Sequence, residues 1–131
     1  ETVVIDDRAE YANRERFPSA DRILVVQSYR HCFEDLPIDE DSYLVIVTRG
    51  HLNDSEVLER AMRTRAGYIG MIGSKRKRDE VYKHLVKTAG FRMEDFSRVN
   101  SPIGIPIGAE SPEEIAVSIV AELIQARAKR K

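Results

Sequence analysis

Four short apolar runs along the chain have the pattern of buried parallel β-strands. The first three are continuously apolar and rich in β-branched residues, whereas a strand with one solvated face would alternate apolar and polar positions. The four runs are TVVI (2–5), ILVVQ (23–27), YLVIVT (43–48) and YIGMI (68–72). A fifth strand is predicted near RVNS (98–101).

Apolar residues recur at helical spacing between and after these strands, and they predict three amphipathic helices. The helices cover residues 54–64, 74–90 and 110–131. Their predicted buried stripes are Val57, Leu58, Ala61 and Met62 in the first helix, Val81, Leu85 and Val86 in the second, and Ile115, Ile119, Val120 and Leu123 in the third. A shorter helix is predicted over 28–36, ended by Pro37.

Local chemistry marks the ends of the two longer helices. Gly90 is a natural C-terminal stop for the second helix. In the third helix Ser111 can cap, Pro112 suits the first helical position and Glu114 completes a capping box. Strands that alternate with helices predict an α/β fold, a Rossmann-like doubly wound parallel sheet with right-handed crossovers. In such sheets ligands bind outside the carboxyl ends of the strands.

Composition narrows the class of the protein and its partners. The 131 residues suffice for one domain, and the net charge of −1 creates no field that would attract nucleic acid or an anionic membrane. No apolar run reaches the length of a membrane span. The single cysteine, Cys32, excludes an internal disulfide framework and fits the cytoplasm. Because the chain opens on a core strand without an initiator methionine, we expect one domain, residues 1–131, cut from a longer protein.

The turn after the fourth predicted strand is the strongest candidate for a binding site. Gly70 and Gly73 bracket this turn, Ser74 can cap the next helix, and residues 75–78 are all basic. A helix N-terminus offers free backbone N–H groups and the positive end of the helix dipole. Cations there oppose the dipole, so four of them cost stability unless an anion neutralises them.

Two interpretations of this turn stay open. In the functional one, a phosphate or carboxylate contacts the Gly73–Ser74 backbone, the Ser74 hydroxyl, and Lys75 or Arg76. In the other, the basic residues form a solvated face paired with Asp79 and Glu80, and we favour this for Lys77 and Arg78. The spacing GMIGSKRK does not match a P-loop.

Polar residues also follow the first and third predicted strands. Asp6 and Asp7 end the first one, where an acidic residue of a Rossmann sheet accepts hydrogen bonds from a ribose hydroxyl; the alternative is a turn-forming Asp pair. After the third strand, Thr48, Arg49 and His51 are expected to face the same crevice.

His51 is the residue of that loop with the widest chemistry. It can act as a general acid or base, or as a donor that orients a ligand, and the alternative is an ordinary loop histidine. For Asp54, in the same stretch, we predict a cap of the following helix.

Several of these stretches resemble the C-terminal Rossmann domain of the XdhC/CoxI family, accessory proteins for xanthine dehydrogenase and related molybdenum hydroxylases. The similar blocks are VVIDDR…ERFP, YLVIVTRGHLND, YIGMIGSKRK and SPIGIPIGAESPEEIAVSIVAELI. The resemblance implies binding of the molybdenum cofactor (molybdopterin), its protection, and its delivery into a xanthine dehydrogenase-type hydroxylase. It also implies a crevice for an NAD(P)-like nucleotide at Asp6, Asp7 and the loops described above.

The sequence departs from the family in one respect that bears on the fold. The strand and glycine-rich turn that precede the first visible strand in the family are not in this chain, and nothing matches GxGxxG. We therefore expect an N-terminal segment or a second copy of the chain to complete the sheet.

The functional hypotheses stand in a definite order. The first is a cofactor-handling accessory domain that acts as a chaperone and not as a catalyst. The second is an NAD(P)-dependent oxidoreductase domain, and the third is a structural domain that dimerises.

Overall fold

The computed structural model describes residues 1–130, apart from the side chain of His51. The chain divides into two compact units, Glu1–Leu36 and a second that begins at Pro37. Each unit contains its own parallel sheet, and each is described separately below. Among the described residues, no helix is long and apolar enough to cross a membrane.

The first unit is a parallel strand pair. Strand β1 (Val3–Asp6) pairs in parallel with β2 (Arg22–Val25), and Asp6 lies opposite Val25 at the carboxyl end. Both strands were predicted from their apolar runs, and both are present with slightly different ends. The predicted burial is wrong, because both strands are only half-buried and Val25 is 51% exposed.

The short helix predicted over 28–36 is confirmed only in part, as a 3₁₀ turn. Only Tyr29–His31 forms a 3₁₀ turn, and the Ser28 hydroxyl accepts a hydrogen bond from the Arg30 amide. The amides of Cys32, Glu34 and Leu36 then donate to carbonyls three residues earlier. This i→i−3 pattern gives a chain of tight turns in place of α-helical i→i−4 bonds.

The second unit is a three-stranded parallel sheet with helices. Its strands are β3 (Tyr43–Ile46), β4 (Tyr68–Met71) and β5 (Val99–Asn100), in the order β3-β4-β5. Its helices are α1 (His51–Met62), α2 (Lys75–Ala89), a 3₁₀ helix (Met93–Arg98) and α3 (Pro112–Arg130). The strands predicted in this unit are all present, and so are its three α-helices, which confirms the α/β class.

The core of the second unit lies around the central strand β4. All four residues of β4 are buried, and the stripes predicted for α1 and α2 pack there. The most deeply buried large side chains are Leu58, Ile69, Met71, Val81 and Leu85. Tyr82 adds a stacked contact with Phe96, whose ring centroid lies 4.2 Å away. Apolar burial of this kind is the main source of stability for such a unit.

Helix ends follow the predicted chemistry. The Ser74 hydroxyl accepts a hydrogen bond from the Lys77 amide, and Gly90 adopts the left-handed conformation that closes α2. Ser111 and Glu114 form the predicted capping box, with the Glu114 amide 3.1 Å from the Ser111 hydroxyl. Hydrogen bonds from the amides of Glu110 and Ser111 hold the pKa of the Glu114 carboxyl below its ordinary value.

The buried stripe predicted for α3 is partly wrong, because the helix docks through a small residue. The Ile105 amide donates to the carbonyl of Ser118, and a Cβ on Gly104 would lie 2.4 Å from the Ser118 hydroxyl. Val120 follows two residues later, about 200° round the helix, and is 53% exposed. The remaining predicted stripe residues, Ile115, Ile119 and Leu123, are half-buried.

Candidate functional site

A network of three side chains, centred on a buried carboxylate, joins the loops that follow β3 and β4. Asp54, on the first turn of α1, is fully buried. The Thr48 hydroxyl donates to Asp54 Oδ1, and Lys77 Nζ lies 2.6 Å from Asp54 Oδ2. Because both loops leave the carboxyl ends of parallel strands, this Thr48–Asp54–Lys77 network lies where ligands of such sheets bind.

The contact between Lys77 and Asp54 is an ion pair and not an aligned hydrogen bond. Asp54 Oδ2 has no partner with hydrogen-bonding geometry, although the ammonium nitrogen is 2.6 Å away. Opposite charges at that separation attract whatever the direction of the N–H bonds, and we therefore treat the pair as electrostatic. The pair compensates a carboxylate that would otherwise be buried without a counter-charge.

Two glycines give the network its geometry. Gly50 has φ +87° and is the N-cap of α1, so the helix starts at His51, three residues before the predicted start. The prediction that Asp54 caps the helix is therefore wrong, since Asp54 lies inside the first turn. Gly73 has φ +132°, and a Cβ there would lie 2.8 Å from the Cδ atom of Lys77. The Lys77 side chain thus passes directly by the turn on its way to Asp54.

The four basic residues at the start of α2 have different environments. Lys77 is largely buried in the network, so the predicted solvated face is wrong for this residue. Arg78 pairs with Asp79, as that interpretation has it, and it also donates to the Ser101 carbonyl. Lys75 and Arg76 are exposed, with Arg76 Nε 3.4 Å from a Glu80 carboxylate oxygen across one helical turn. Two of the four cations therefore remain at the surface beside the helix N-terminus.

The amides at this N-terminus are only partly satisfied by the protein. The Ser74 hydroxyl accepts from the Lys77 amide and the Ser74 carbonyl from the Arg78 amide. Within the described part of the chain, the amides of Lys75 and Arg76 have no acceptor. These are the first helical N–H groups, which commonly point toward a bound anion.

The other residues predicted near this turn occupy three kinds of position. Thr48 is half-buried in the network and Arg49 is exposed beside it. His51 is the first residue of α1, and its side chain lies outside the described part of the structure. Gly70 lies inside β4, before the turn, and a Cβ there would lie 2.5 Å from both Ile103 Cδ1 and the Tyr68 hydroxyl. The missing side chain of Gly70 therefore lets Ile103 and the Tyr68 hydroxyl pack closely against β4.

The Tyr68 hydroxyl has an acidic partner on α3. It donates to a carboxylate oxygen of Glu122 at 2.5 Å. Burial raises the pKa of this hydroxyl, and its hydrogen bond to Glu122 raises it further. The hydroxyl therefore stays protonated and links α3 to the central strand.

Asp6 ends β1 in the first unit and Asp7 follows it directly, and both carboxylates have protein partners. Arg8 forks onto Asp6 with Nε 3.0 Å from Oδ1 and Nη2 3.2 Å from Oδ2, and the Arg8 amide also donates to Oδ1. Burial raises the pKa of Asp6, but the hydrogen bonds from Arg8 outweigh it, so the net pKa lies below the ordinary value.

Asp7 is the more exposed of the two carboxylates. It accepts from the Tyr29 hydroxyl at 3.3 Å. Burial, together with the charges of Asp6 and Asp7, raises the pKa of Tyr29 to about 12. The Tyr29 hydroxyl therefore remains a donor to Asp7 at neutral pH.

Sequence reasoning did not find two parts of this arrangement. One is the pairing of Lys77 with Asp54, which brings together side chains 23 positions apart. The other is a cluster next to β1, in which the guanidinium carbons of Arg8 and Arg16 lie 4.0 and 4.8 Å from the ring centroid of Tyr11. Arg16 belongs to the block ERFP, one of the stretches that resemble the family, but its spacing from Tyr11 gave no reason to expect a contact between them.

No metal centre is evident in the part of the chain that the structure describes. No group of three or more His, Cys, Asp or Glu side chains there is placed to hold a metal ion.

Comparison with known proteins gives one family. The family model of the XdhC Rossmann domain matches residues 1–123. The uncharacterized protein YqeB of Escherichia coli K12 is 32% identical over 124 residues, covering 95% of this chain and 22% of that protein. A probable xanthine dehydrogenase subunit of Bacillus subtilis 168 is 32% identical over 127 residues, covering 95% of this chain and 35% of that protein.

A solved structure agrees with this relationship. The crystal structure of a xanthine dehydrogenase from Bacillus halodurans matches 99% of this chain with a TM-score of 0.79 and 33% identity, over 36% of its own length. This similarity confirms the predicted Rossmann-like fold. The chain spans only about a fifth to a third of these relatives, with shares of 22%, 35% and 36%.

Proposed function

The chain belongs to the XdhC Rossmann domain family, and on that premise we propose that it is an accessory domain for a molybdenum hydroxylase of the xanthine dehydrogenase type. In this role it binds the molybdenum cofactor and assists its insertion into the hydroxylase. The name of the Bacillus subtilis relative, a probable xanthine dehydrogenase subunit, supports a partner of this kind.

The observation that carries the proposal is the N-terminus of α2 with the network behind it. The amides of Lys75 and Arg76 have no acceptor among the described residues, and their side chains add two exposed positive charges. The only fully buried carboxylate of the described residues, Asp54, is compensated by Lys77, so its charge does not oppose an incoming anion. Helix dipole, free amides and cations together favour a phosphate group.

The chemistry of this site fits the phosphate end of molybdopterin. Lys75 and Arg76 would hold that phosphate, and the Ser74 hydroxyl, which accepts from the Lys77 amide, still has a proton to donate. Gly73 keeps the backbone open to close approach, since no side chain projects from it. When bound in a hydroxylase, the cofactor supplies the redox chemistry of molybdenum. The accessory domain would bind it, orient it and release it.

A titration with isolated molybdopterin tests this proposal. Replacing both Lys75 and Arg76 with Ala should weaken binding about tenfold or more, because two charged contacts to the phosphate are lost. The matched control is Lys83→Ala with Lys87→Ala, which removes two exposed cations from the same helix away from its N-terminus. Equal affinity of the site variant and the parent would contradict the proposal, and so would equal losses in both double variants.

A second candidate function is binding of an NAD(P)-like nucleotide, with or without hydride transfer. It is favoured by the acidic pair at the carboxyl end of β1, the position that contacts a nucleotide ribose in Rossmann sheets. Hydride transfer from a bound nicotinamide, followed by absorbance, would support an oxidoreductase. Binding without any transfer would support a nucleotide that only regulates or stabilises the accessory domain.

A further inference from the structure

The carboxyl end of β1 carries a cluster of two arginines around one aromatic ring. The guanidinium carbon of Arg8 is 4.0 Å and that of Arg16 is 4.8 Å from the centroid of the Tyr11 ring. We call these three residues the Arg8–Tyr11–Arg16 cluster. Tyr11 is 42% exposed and Arg16 is exposed, so the cluster is open to a ligand.

The cluster changes what the strand end can recognise. A carboxylate at this position binds a ribose by accepting hydrogen bonds from its hydroxyl groups. Here both oxygens of Asp6 are already bound by the Arg8 fork, with a third hydrogen bond from the Arg8 amide. Arg8 therefore fills three of the roughly four acceptor sites of Asp6 and leaves a ribose hydroxyl only the one that remains on Oδ2. A phosphate could instead accept directly from the guanidinium groups.

Asp6, Asp7, Arg8 and Arg16 together have no net formal charge, so a phosphate would gain from direct contact with a guanidinium group and not from a net positive field. Arg8 is compensated by Asp6, and Asp7 also lies 3.6 Å from Arg8 Nε. Among the described residues, no carboxylate lies within ion-pair distance of the Arg16 guanidinium, which instead sits over the Tyr11 ring. Arg16 is therefore the uncompensated cation of the cluster. The two guanidinium groups beside the Tyr11 ring repel each other, and a bound anion would reduce that repulsion.

We propose that this strand end recognises a nucleotide whose ribose carries a phosphate ester, of the adenosine 2′-phosphate class, in preference to one with a free ribose diol. Arg16 is the specificity-determining cation. Arg8 is fixed in position by its hydrogen bonds to Asp6. The inference rests on the second candidate function, nucleotide binding at β1, and does not depend on the molybdopterin site at α2.

The experiment is a calorimetric titration of the 131-residue chain at low ionic strength with 2′,5′-ADP, 3′,5′-ADP and 5′-AMP. The first two carry equal numbers of phosphates, so they separate the position of the ester from total charge. We expect 2′,5′-ADP to bind about tenfold to a hundredfold more tightly than 5′-AMP, the usual range for a hydrogen bond to a charged group. It should also bind more tightly than 3′,5′-ADP, and salt should weaken the preference.

Substitutions assign the preference to the cluster. Arg16→Ala should remove most of the preference for 2′,5′-ADP while leaving the weaker binding of 5′-AMP in place. Arg127→Ala, which removes an exposed arginine from α3, is the charge-matched control and should change neither. Thermal melts of the variants show whether each one is folded before its affinity is interpreted.

Three outcomes would overturn the proposal. They are equal affinity for 2′,5′-ADP and 5′-AMP, equal affinity for the two bisphosphates, and a preference that survives Arg16→Ala. Absence of binding by all three nucleotides would overturn it together with the nucleotide site. The molybdopterin titration at Lys75 and Arg76 fails or succeeds independently, so the two results remain distinguishable.

Discussion

Removing Lys77 from the buried network should destabilise the protein more than any other single change to a charged side chain in the second unit. In Lys77→Met, the hydrophobic stem is kept, but Asp54 loses its counter-charge while fully buried. Breaking a buried ion pair costs about 3–5 kcal/mol, and because the Lys77 side chain is 19% exposed we expect the lower end, about 3 kcal/mol. For a chain of this size such a loss lowers the melting temperature by roughly 10 °C.

A double-mutant cycle separates the pair from its surroundings. Asp54→Asn alone leaves Lys77 near the surface, where water can reach its ammonium group, so it should cost less than Lys77→Met. The double variant should be more stable than the sum of the single losses implies, with a coupling of about 1–3 kcal/mol. Urea denaturation followed by circular dichroism gives each free energy of unfolding. Lys83→Met, an exposed lysine on the same helix, is the control and should be close to neutral.

The same cycle has a clear contrary result. If Lys77→Met were as stable as the parent, or if the two single losses simply added, Lys77 and Asp54 would not be coupled. The α2 turn would then be held by Gly73 and Ser74 alone. The charge of Asp54 would then be uncompensated and would oppose an anion at the N-terminus of α2.

Three further predictions concern local features. Gly70→Ala should lower the free energy of unfolding by about 1–3 kcal/mol, since its Cβ would lie 2.5 Å from Ile103 and the Tyr68 hydroxyl; an unchanged urea midpoint would refute the packing argument. Ser111→Ala should cost about 1 kcal/mol by removing the α3 cap, seen as a lower thermal midpoint, whereas Ser111→Asp should keep most of the stability. Asp6→Asn should cost about 1 kcal/mol at pH 7 after allowance for solvent screening. The folded pKa of Asp6 lies below its ordinary 3.8, so the stabilisation is present above pH 3.8 and is lost as the pH falls further. The difference in free energy of unfolding between variant and parent should therefore disappear in acid. A difference that stays constant with pH would exclude the Arg8 pair as its source.

The elements of the fold could be predicted from the sequence because their signals are local. Continuous β-branched runs correctly predicted parallel strands, although β1, β2 and β3 are only half-buried. The Ser111–Glu114 box and Gly90 correctly predicted helix ends from residues that are close in sequence. The same reasoning failed for α3, where Val120 belongs to a regular apolar stripe but faces away from the docked side. The docked side is set by Gly104 against Ser118, a contact between distant segments that periodicity does not contain.

The candidate site was predictable only in part, for a related reason. The turn at Gly73 and Ser74 is recognisable from a glycine, a capping residue and misplaced cations, all adjacent in sequence. Which cation is buried depends on where Asp54 lies, and that depends on Gly50 starting α1 early through its positive φ. The sequence pattern therefore indicates a solvated Lys77, and only the three-dimensional approach of the two loops shows that it is largely buried and paired with Asp54.

The free edges of the two sheets lead to the last prediction, that another polypeptide segment pairs with them. If the two sheets were parts of one doubly wound sheet of order 3-2-1-4-5-6, β1 and β2 would be its second and third strands, and β3, β4 and β5 its fourth, fifth and sixth. Every pairing of that order that does not involve the first strand is present. Among residues 1–130, β1 has β2 as its one strand partner and β3 has β4, so each presents an edge of unpaired backbone groups.

Such edges are costly on apolar strands and invite strand addition. Val45 on β3 is 38% exposed and Val47 just beyond it is 54% exposed, as expected where a neighbour would cover them. We predict that an N-terminal segment of a longer chain, or a second copy, supplies the missing strand. Sedimentation velocity combined with amide hydrogen exchange tests this, with β4 as the fully paired reference. A concentration-dependent dimer with protected edge amides would identify a second copy as the partner. A monomer whose β1 and β3 edge amides exchange far faster than those of β4 would support pairing with an N-terminal segment of a longer chain. A monomer in which those edge amides are protected as strongly as β4 would refute the prediction, because the two edges could then be satisfied only within one chain.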